Sequence, residues 1–274
     1  MPQALDKRPE ALYIVYRTLT APQYVRRPVG AHLREKSCED RDKMMISGMQ
    51  KLTLLDYPGK VACTVFTAGC DLRCPFCHNA SLALPERERD RLDTQELLAF
   101  LKKRRGVLDG VAVTGGEPLL NADVAELLAS IKELGYAVKL DTNGTFPARL
   151  REVVEKGLVD RVAMDIKAPP EKYAAVTGVP GLDLAPIRES AAYLMICGID
   201  YEFRTTAVRP LHEPADFASI GEWIKGAKEY YIQAFRDSGD LIDGSGLSGF
   251  SADEMKIFAD IIRPWVPNVR LRGI

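Results

Sequence analysis

From residue 46 onward, short apolar runs rich in β-branched residues alternate with longer stretches of helical period. The runs predict strands over 61–67, 110–114, 137–141, 161–166, 201–208 and 230–235. The longer stretches predict helices over 94–105, 121–134, 148–156, 184–197, 214–225 and 252–262. Asp93-Thr94, Asn121 and Ser251 supply plausible helix starts. A strand followed by a helix, repeated six times, predicts parallel strands joined by crossover helices. An open doubly wound sheet and a barrel, or part of one, both fit; periodicity does not choose between them.

In either architecture, ligands gather at the carboxyl ends of the strands. After the first strand come Ala68-Gly69-Cys70, and after the second Gly115-Gly116-Glu117-Pro118. The third ends in Asp141-Thr142-Asn143-Gly144 and the fourth in Asp165-Ile166-Lys167. Arg204 lies on the fifth, and Gln233 and Phe235 on the sixth. Functional-looking polar groups thus collect on one rim. Asp after a strand is also a common helix N-cap, the plainer reading for Asp141 and Asp165. A buried Arg204 needs a partner, for which a ligand carboxylate or Glu117 is available. His212 is expected on a surface loop.

Composition narrows the function. The 274 residues carry 37 Lys+Arg against 38 Asp+Glu, with 46% hydrophobic and 27% charged residues. This excludes a disordered chain and a strongly basic nucleic-acid binder. No apolar stretch approaches the roughly 20 residues that span a bilayer, and no signal peptide is recognisable, so a cytoplasmic address is the expectation. Residues 1–43 hold nine Lys+Arg and six Asp+Glu and show no clean period. They are expected to be a poorly ordered extension or the product of a start codon placed too far upstream. The expected division is therefore 1–45 as extension and 46–274 as the domain.

Cys70, Cys74 and Cys77 form C-x3-C-x2-C. Thiolates suit zinc or iron–sulfur clusters. A structural zinc site would need His78 as its fourth ligand, but adjacent residues seldom face one metal. A four-iron cluster on three cysteines leaves one iron open to a substrate or cofactor. Cys63, within a strand, reads as a small apolar residue, and neither Cys197 nor Cys38 has neighbours at ligand spacing.

The cysteine loop, with Phe76 inside it and Gly-Gly-Glu-Pro after the second strand, resembles the radical S-adenosylmethionine superfamily. Asp56-Tyr57-Pro58-Gly59 and Cys77-His78-Asn79 narrow the resemblance to the glycyl-radical-enzyme activases. Within these it is closest to the anaerobic ribonucleoside-triphosphate reductase activating proteins. It runs from about residue 46 to the end and weakens toward the C-terminus.

The resemblance implies a partial (β/α)6 TIM-like barrel with one [4Fe-4S] cluster held by Cys70, Cys74 and Cys77. Residues 78–113 contain no cysteine for a second cluster. It implies reductive cleavage of S-adenosylmethionine to a 5′-deoxyadenosyl radical, which takes hydrogen from a partner glycine under anaerobic conditions. Phe76 and Gln233 would lie near adenine. Gly115 and Gly116 would let backbone approach the ligand, and Glu117 would accept from the methionine ammonium. Asp141, Asp165 and Thr142 would help hold a monovalent cation beside the cofactor carboxylate, and Lys167 would contact that carboxylate. The implied protein partner is a glycyl radical enzyme, with flavodoxin or ferredoxin as electron donor. A pyruvate formate-lyase-like partner, or a small-molecule enzyme resembling 7-carboxy-7-deazaguanine synthase, are the other readings.

Overall fold

The computed structural model describes residues 46–84 and 91–274. The expected extension, with His32 and Cys38, lies outside the described residues. The six expected strands all form, as β2 (Ala62–Thr67), β3 (Gly110–Gly115), β4 (Ala137–Thr142), β5 (Arg161–Asp165), β6 (Asp200–Ala207) and β7 (Tyr230–Ala234). Two further strands flank them. These are β1 (Ile46–Thr53), antiparallel to β2, and β8 (Val269–Arg272), parallel to β7. The sheet runs β1 to β8 in chain order, and β2 to β8 are all parallel.

The six expected helices form too, each with its ends within three residues of expectation. They are α1 (Thr94–Lys103), α2 (Val124–Glu133), α3 (Pro147–Glu155), α4 (Ala185–Ile196), α5 (Pro214–Trp223) and α6 (Ala252–Ile262). Asp93 caps α1 by accepting from Gln95 N–H, and Ser251 caps α6 in a reciprocal box with Glu254. Asn121 does not start α2; it closes a 3-10 turn at Pro118–Leu120, and the helix begins three residues later.

The strand faces differ. Val138 and Leu140 on β4, Val162 and Met164 on β5, and Phe203 on β6 join one hydrophobic core with Leu97, Leu101, Leu127 and Ile131 of the helices. The alternate residues of the same strands are charged: Lys139 and Asp141, Arg161 and Asp165, Glu202 and Arg204. Strand side chains alternate between faces, so these groups share the face turned away from the helices. Glu202 is fully buried there, held by Arg161 at 2.8 Å and Arg272 at 3.3 Å. At the amino ends of the strands, the Tyr57 ring packs where a Cβ on Gly110 would come within 3.0 Å of it, and Asp56 accepts from Thr64 at 2.5 Å.

Candidate active site

The cysteine loop leaves β2 through Gly69, which turns at φ +85°. Separate segments pin it. Arg73 N–H donates to Thr177 O at 2.9 Å, and Asp243 N–H to Pro75 O at 3.0 Å. The Arg73 guanidinium donates back to the Cys70 and Leu72 carbonyls. Cys70, Cys74 and Cys77 all face one cavity of about 210 Å3. Burial pushes the Cys70 thiol up to about 12 and Cys74 to about 11. Burial raises the Cys77 thiol as well, and metal binding here must displace thiol protons.

The end of β3 lies tight against this loop. A Cβ on Gly115 would stand 2.3 Å from the Thr67 backbone, and one on Gly116 would stand 1.8 Å from Gly69 O. Gly115 also sits at φ +126°. Both glycines line the cavity, but the close approach they permit is to the chain's own backbone. Asn79 donates to Gly115 O at 3.2 Å and ties the far end of the cysteine loop to the same strand.

Glu117 stands elsewhere than expected. It is wholly buried and does not line the cavity. Its carboxylate accepts from Leu119 N–H at 3.0 Å, the Thr142 hydroxyl at 2.8 Å and Asn143 N–H at 2.6 Å. It braces the β3 turn against the end of β4 and is not presented to a ligand ammonium. Burial outweighs the three donors and pushes its carboxyl up to about 8.

Asp141, Asp165, Lys167, Arg204 and Gln233 do meet at the cavity. Arg204 bridges the two aspartates, through Nε to Asp165 at 2.8 Å and Nη1 to Asp141 at 3.0 Å. Lys167 takes the other Asp165 oxygen at 2.7 Å, and buried Lys139 takes the other Asp141 oxygen. Burial alone would raise both carboxyls, but Arg204 with Lys167 holds Asp165 down to about 2, and Arg204 with Lys139 lowers Asp141. The partners of Arg204 are therefore these aspartates and not Glu117. The four carboxylate oxygens expected to serve a monovalent cation are engaged by cations of the chain. Thr142 likewise turns its hydroxyl to Glu117.

Phe76 lies buried within the loop, its ring 6.4 Å from that of His212. His212 is not surface: it is 3% exposed, with Nε2 2.8 Å from Lys167 O. Gln233 reaches Thr206 and Arg272. His78 lies against Phe235, centroids 5.5 Å apart. Cys63 is buried in β2 and Cys197 ends α4, as expected. Sequence reasoning passed over Lys139, whose signal was its place two residues before Asp141. It also passed over Asn143, whose signal was its place beside the strand-end Asp-Thr pair.

The Radical SAM superfamily profile matches residues 64–223, more than half of the chain and all of the site except Gln233. The chain belongs to the radical SAM superfamily. A Methanocaldococcus jannaschii protein provisionally named a glycyl-radical enzyme activating enzyme is 31% identical over 85% of this chain and 97% of its own length. The pyruvate formate-lyase-activating enzyme of Streptococcus mutans is 29% identical over 70% of this chain and 75% of its own. Streptococcus suis SuiB, solved with S-adenosylmethionine bound, shares the fold with a TM-score of 0.59 at 14% identity; the match covers 75% of this chain and 48% of SuiB.

As a radical SAM protein the chain uses a [4Fe-4S] cluster and S-adenosylmethionine. The donor set fits. Three thiols face one cavity that the Lys167 and Arg204 charges also line. Thiolates suit iron–sulfur clusters, each sulfur serving its own iron. A zinc ion wants its ligands about 2.0 to 2.3 Å from a single point. Among the described residues no three His, Cys, Asp or Glu side chains are so grouped.

Proposed function

We propose that this protein is an activase that installs a glycyl radical on a partner enzyme, with anaerobic ribonucleoside-triphosphate reductase as the first partner to test. When bound, the cluster supplies a low-potential electron for reductive cleavage of S-adenosylmethionine to methionine and a 5′-deoxyadenosyl radical. The partner glycine then gives up one Cα hydrogen atom, leaving 5′-deoxyadenosine and a glycyl radical. Flavodoxin or ferredoxin is the proposed electron donor.

The observation that carries this reading is the match to the archaeal relative over 85% of this chain and 97% of the relative. In the site, Cys70, Cys74 and Cys77 would hold the cluster. Lys167 would face the cofactor carboxylate, its ammonium oriented by Asp165. Arg204 would add a second positive charge to that wall, oriented by both aspartates. Gly115 and Gly116 would offer backbone to the cofactor ammonium, and Phe76 and Gln233 would border its adenine. The buried wall would exclude water from the radical.

The test is anaerobic reconstitution, then dithionite and S-adenosylmethionine with candidate partners. The expected result is 5′-deoxyadenosine together with a glycyl-type paramagnetic doublet on the reductase, both lost in Cys74→Ala. A doublet only on a pyruvate formate-lyase-like enzyme would keep the activase and change its partner. Cofactor cleavage with no partner radical would favour a small-molecule substrate.

A further inference from the structure

Glu117, Asn143, Asp71 and Cys70 form one connected chain, of which Asn143 and Cys70 line the cavity. Asn143 is 6% exposed. Its backbone N–H is fixed by the Glu117 carboxylate at 2.6 Å. Its side-chain Oδ1 accepts from Thr145 twice, from N–H at 3.0 Å and the hydroxyl at 2.7 Å. Two donors at Oδ1 settle which end of the amide is oxygen and turn Nδ2 toward the cysteine loop. There Nδ2 donates to Asp71 Oδ1 at 2.8 Å and lies 3.8 Å from Cys70 Sγ. Leu72 N–H donates to the same sulfur at 3.4 Å. An amide has two hydrogens on its nitrogen, so both contacts are available at once.

We propose that Asn143 is a positioning residue that sets the reduction potential of the cluster through the Cys70 sulfur. This rests on the reading of the three cysteines as cluster ligands. Reduction adds negative charge to the iron–sulfur core and its thiolates. A donor N–H at a ligand sulfur stabilises that charge and raises the midpoint potential. Asp71 works in the opposite direction, since its carboxylate oxygen lies 3.9 Å from the same sulfur. Asn143 both donates to the sulfur and draws off part of the Asp71 charge. Glu117, the acidic residue of the Gly-Gly-Glu turn, holds the Asn143 backbone in place without touching the cysteines.

The test is potentiometric titration of the anaerobically reconstituted full chain, followed by electron paramagnetic resonance. Asn143→Leu removes the donor, and Asn143→Asp keeps Oδ1 for Thr145 while placing an oxygen toward Asp71 and the sulfur. Both should shift the midpoint to more negative values, Asn143→Asp further. Asp71→Asn keeps the acceptor for the amide, deletes the charge and should shift it to more positive values. Thr145→Val leaves the sulfur contact in place and should leave the midpoint where it is.

Parent-like midpoints in the Asn143 variants would overturn the proposal, as would a Thr145→Val shift as large as that of Asn143→Leu. If the Asn143 variants take up no iron, Asp71→Asn decides: a positive shift supports the proposal and a parent-like midpoint overturns it. A parent chain without iron–sulfur absorbance would overturn the cluster reading itself, a failure visible before any titration.

Discussion

The two walls of the cavity are built on different physics. Where β3 meets the cysteine loop, backbones pack so closely that a Cβ on Gly115 or Gly116 has no room. Further along the sheet, β4, β5 and β6 are held by alternating charges, with Arg204 bridging Asp141 and Asp165 and a lysine at either end. The first wall is rigid because nothing fits between its parts. The second is ordered because each charge is oriented by its opposite, which keeps positive groups fixed in place ahead of any ligand. The first is vulnerable to added volume and the second to removed charge.

The largest effect should come from breaking the charged wall at its centre. Arg204→Leu leaves two half-buried carboxylates without their shared cation, and the loss should cost about 3 kcal/mol, the lower end for a fully buried pair. Urea unfolding should show that loss, and part of it should return in the Asp141→Asn, Arg204→Leu double variant. On the steric wall, Gly116→Ala should cost about 3 kcal/mol, at the upper end for overpacking. A melting temperature equal to that of the parent would show that the loop can retreat from β3.

Acid and base should separate the walls. Asp165 is held down to about 2 from 3.8, so its contribution is present above pH 3.8 and is lost as pH falls toward 2. Glu117 is raised from 4.5 to about 8, so its contribution is full below pH 4.5 and is lost as pH rises through 8. Unfolding free energy should fall by at most about 1.4 kcal/mol per pH unit in that upper window from this one proton. Glu117→Gln should flatten that slope and leave the acid limb intact. A slope unchanged in the variant would place the titrating group elsewhere. The smallest effect is expected at the seam: Asn79→Ala removes one partly buried hydrogen bond to Gly115 O and should cost about 1 kcal/mol.

The same contrast explains what could be read from the amino-acid sequence. β2 to β7 were legible because their apolar runs bury one face in the core. β1 was not, since its pairing with β2 slips between Ile46 and Gly48 and again between Gln50 and Thr53, which breaks the alternation. β8 has four residues, two of them arginine. The cysteines were legible from spacing alone, and the strand-end aspartates from the rim they share. The glycines were legible as a signal, but their neighbour proved to be the backbone of the cysteine loop. The direction of Glu117, the partners of Arg204 and the burial of His212 were hidden, because tertiary approach decides them. Glu117 looks toward β4 only because β4 ends beside it with two donors, the Thr142 hydroxyl and Asn143 N–H, and no spacing along the chain records that.

The central claim is hydrogen transfer from a partner glycine, and isotope transfer tests it most directly. Anaerobic ribonucleoside-triphosphate reductase carrying deuterated glycine would be incubated with the reconstituted, reduced protein and S-adenosylmethionine. Deuterium should appear in the 5′-deoxyadenosine formed, in step with a radical on the reductase. Unlabelled 5′-deoxyadenosine, with no radical on the reductase or on any other glycyl radical enzyme offered, would contradict it.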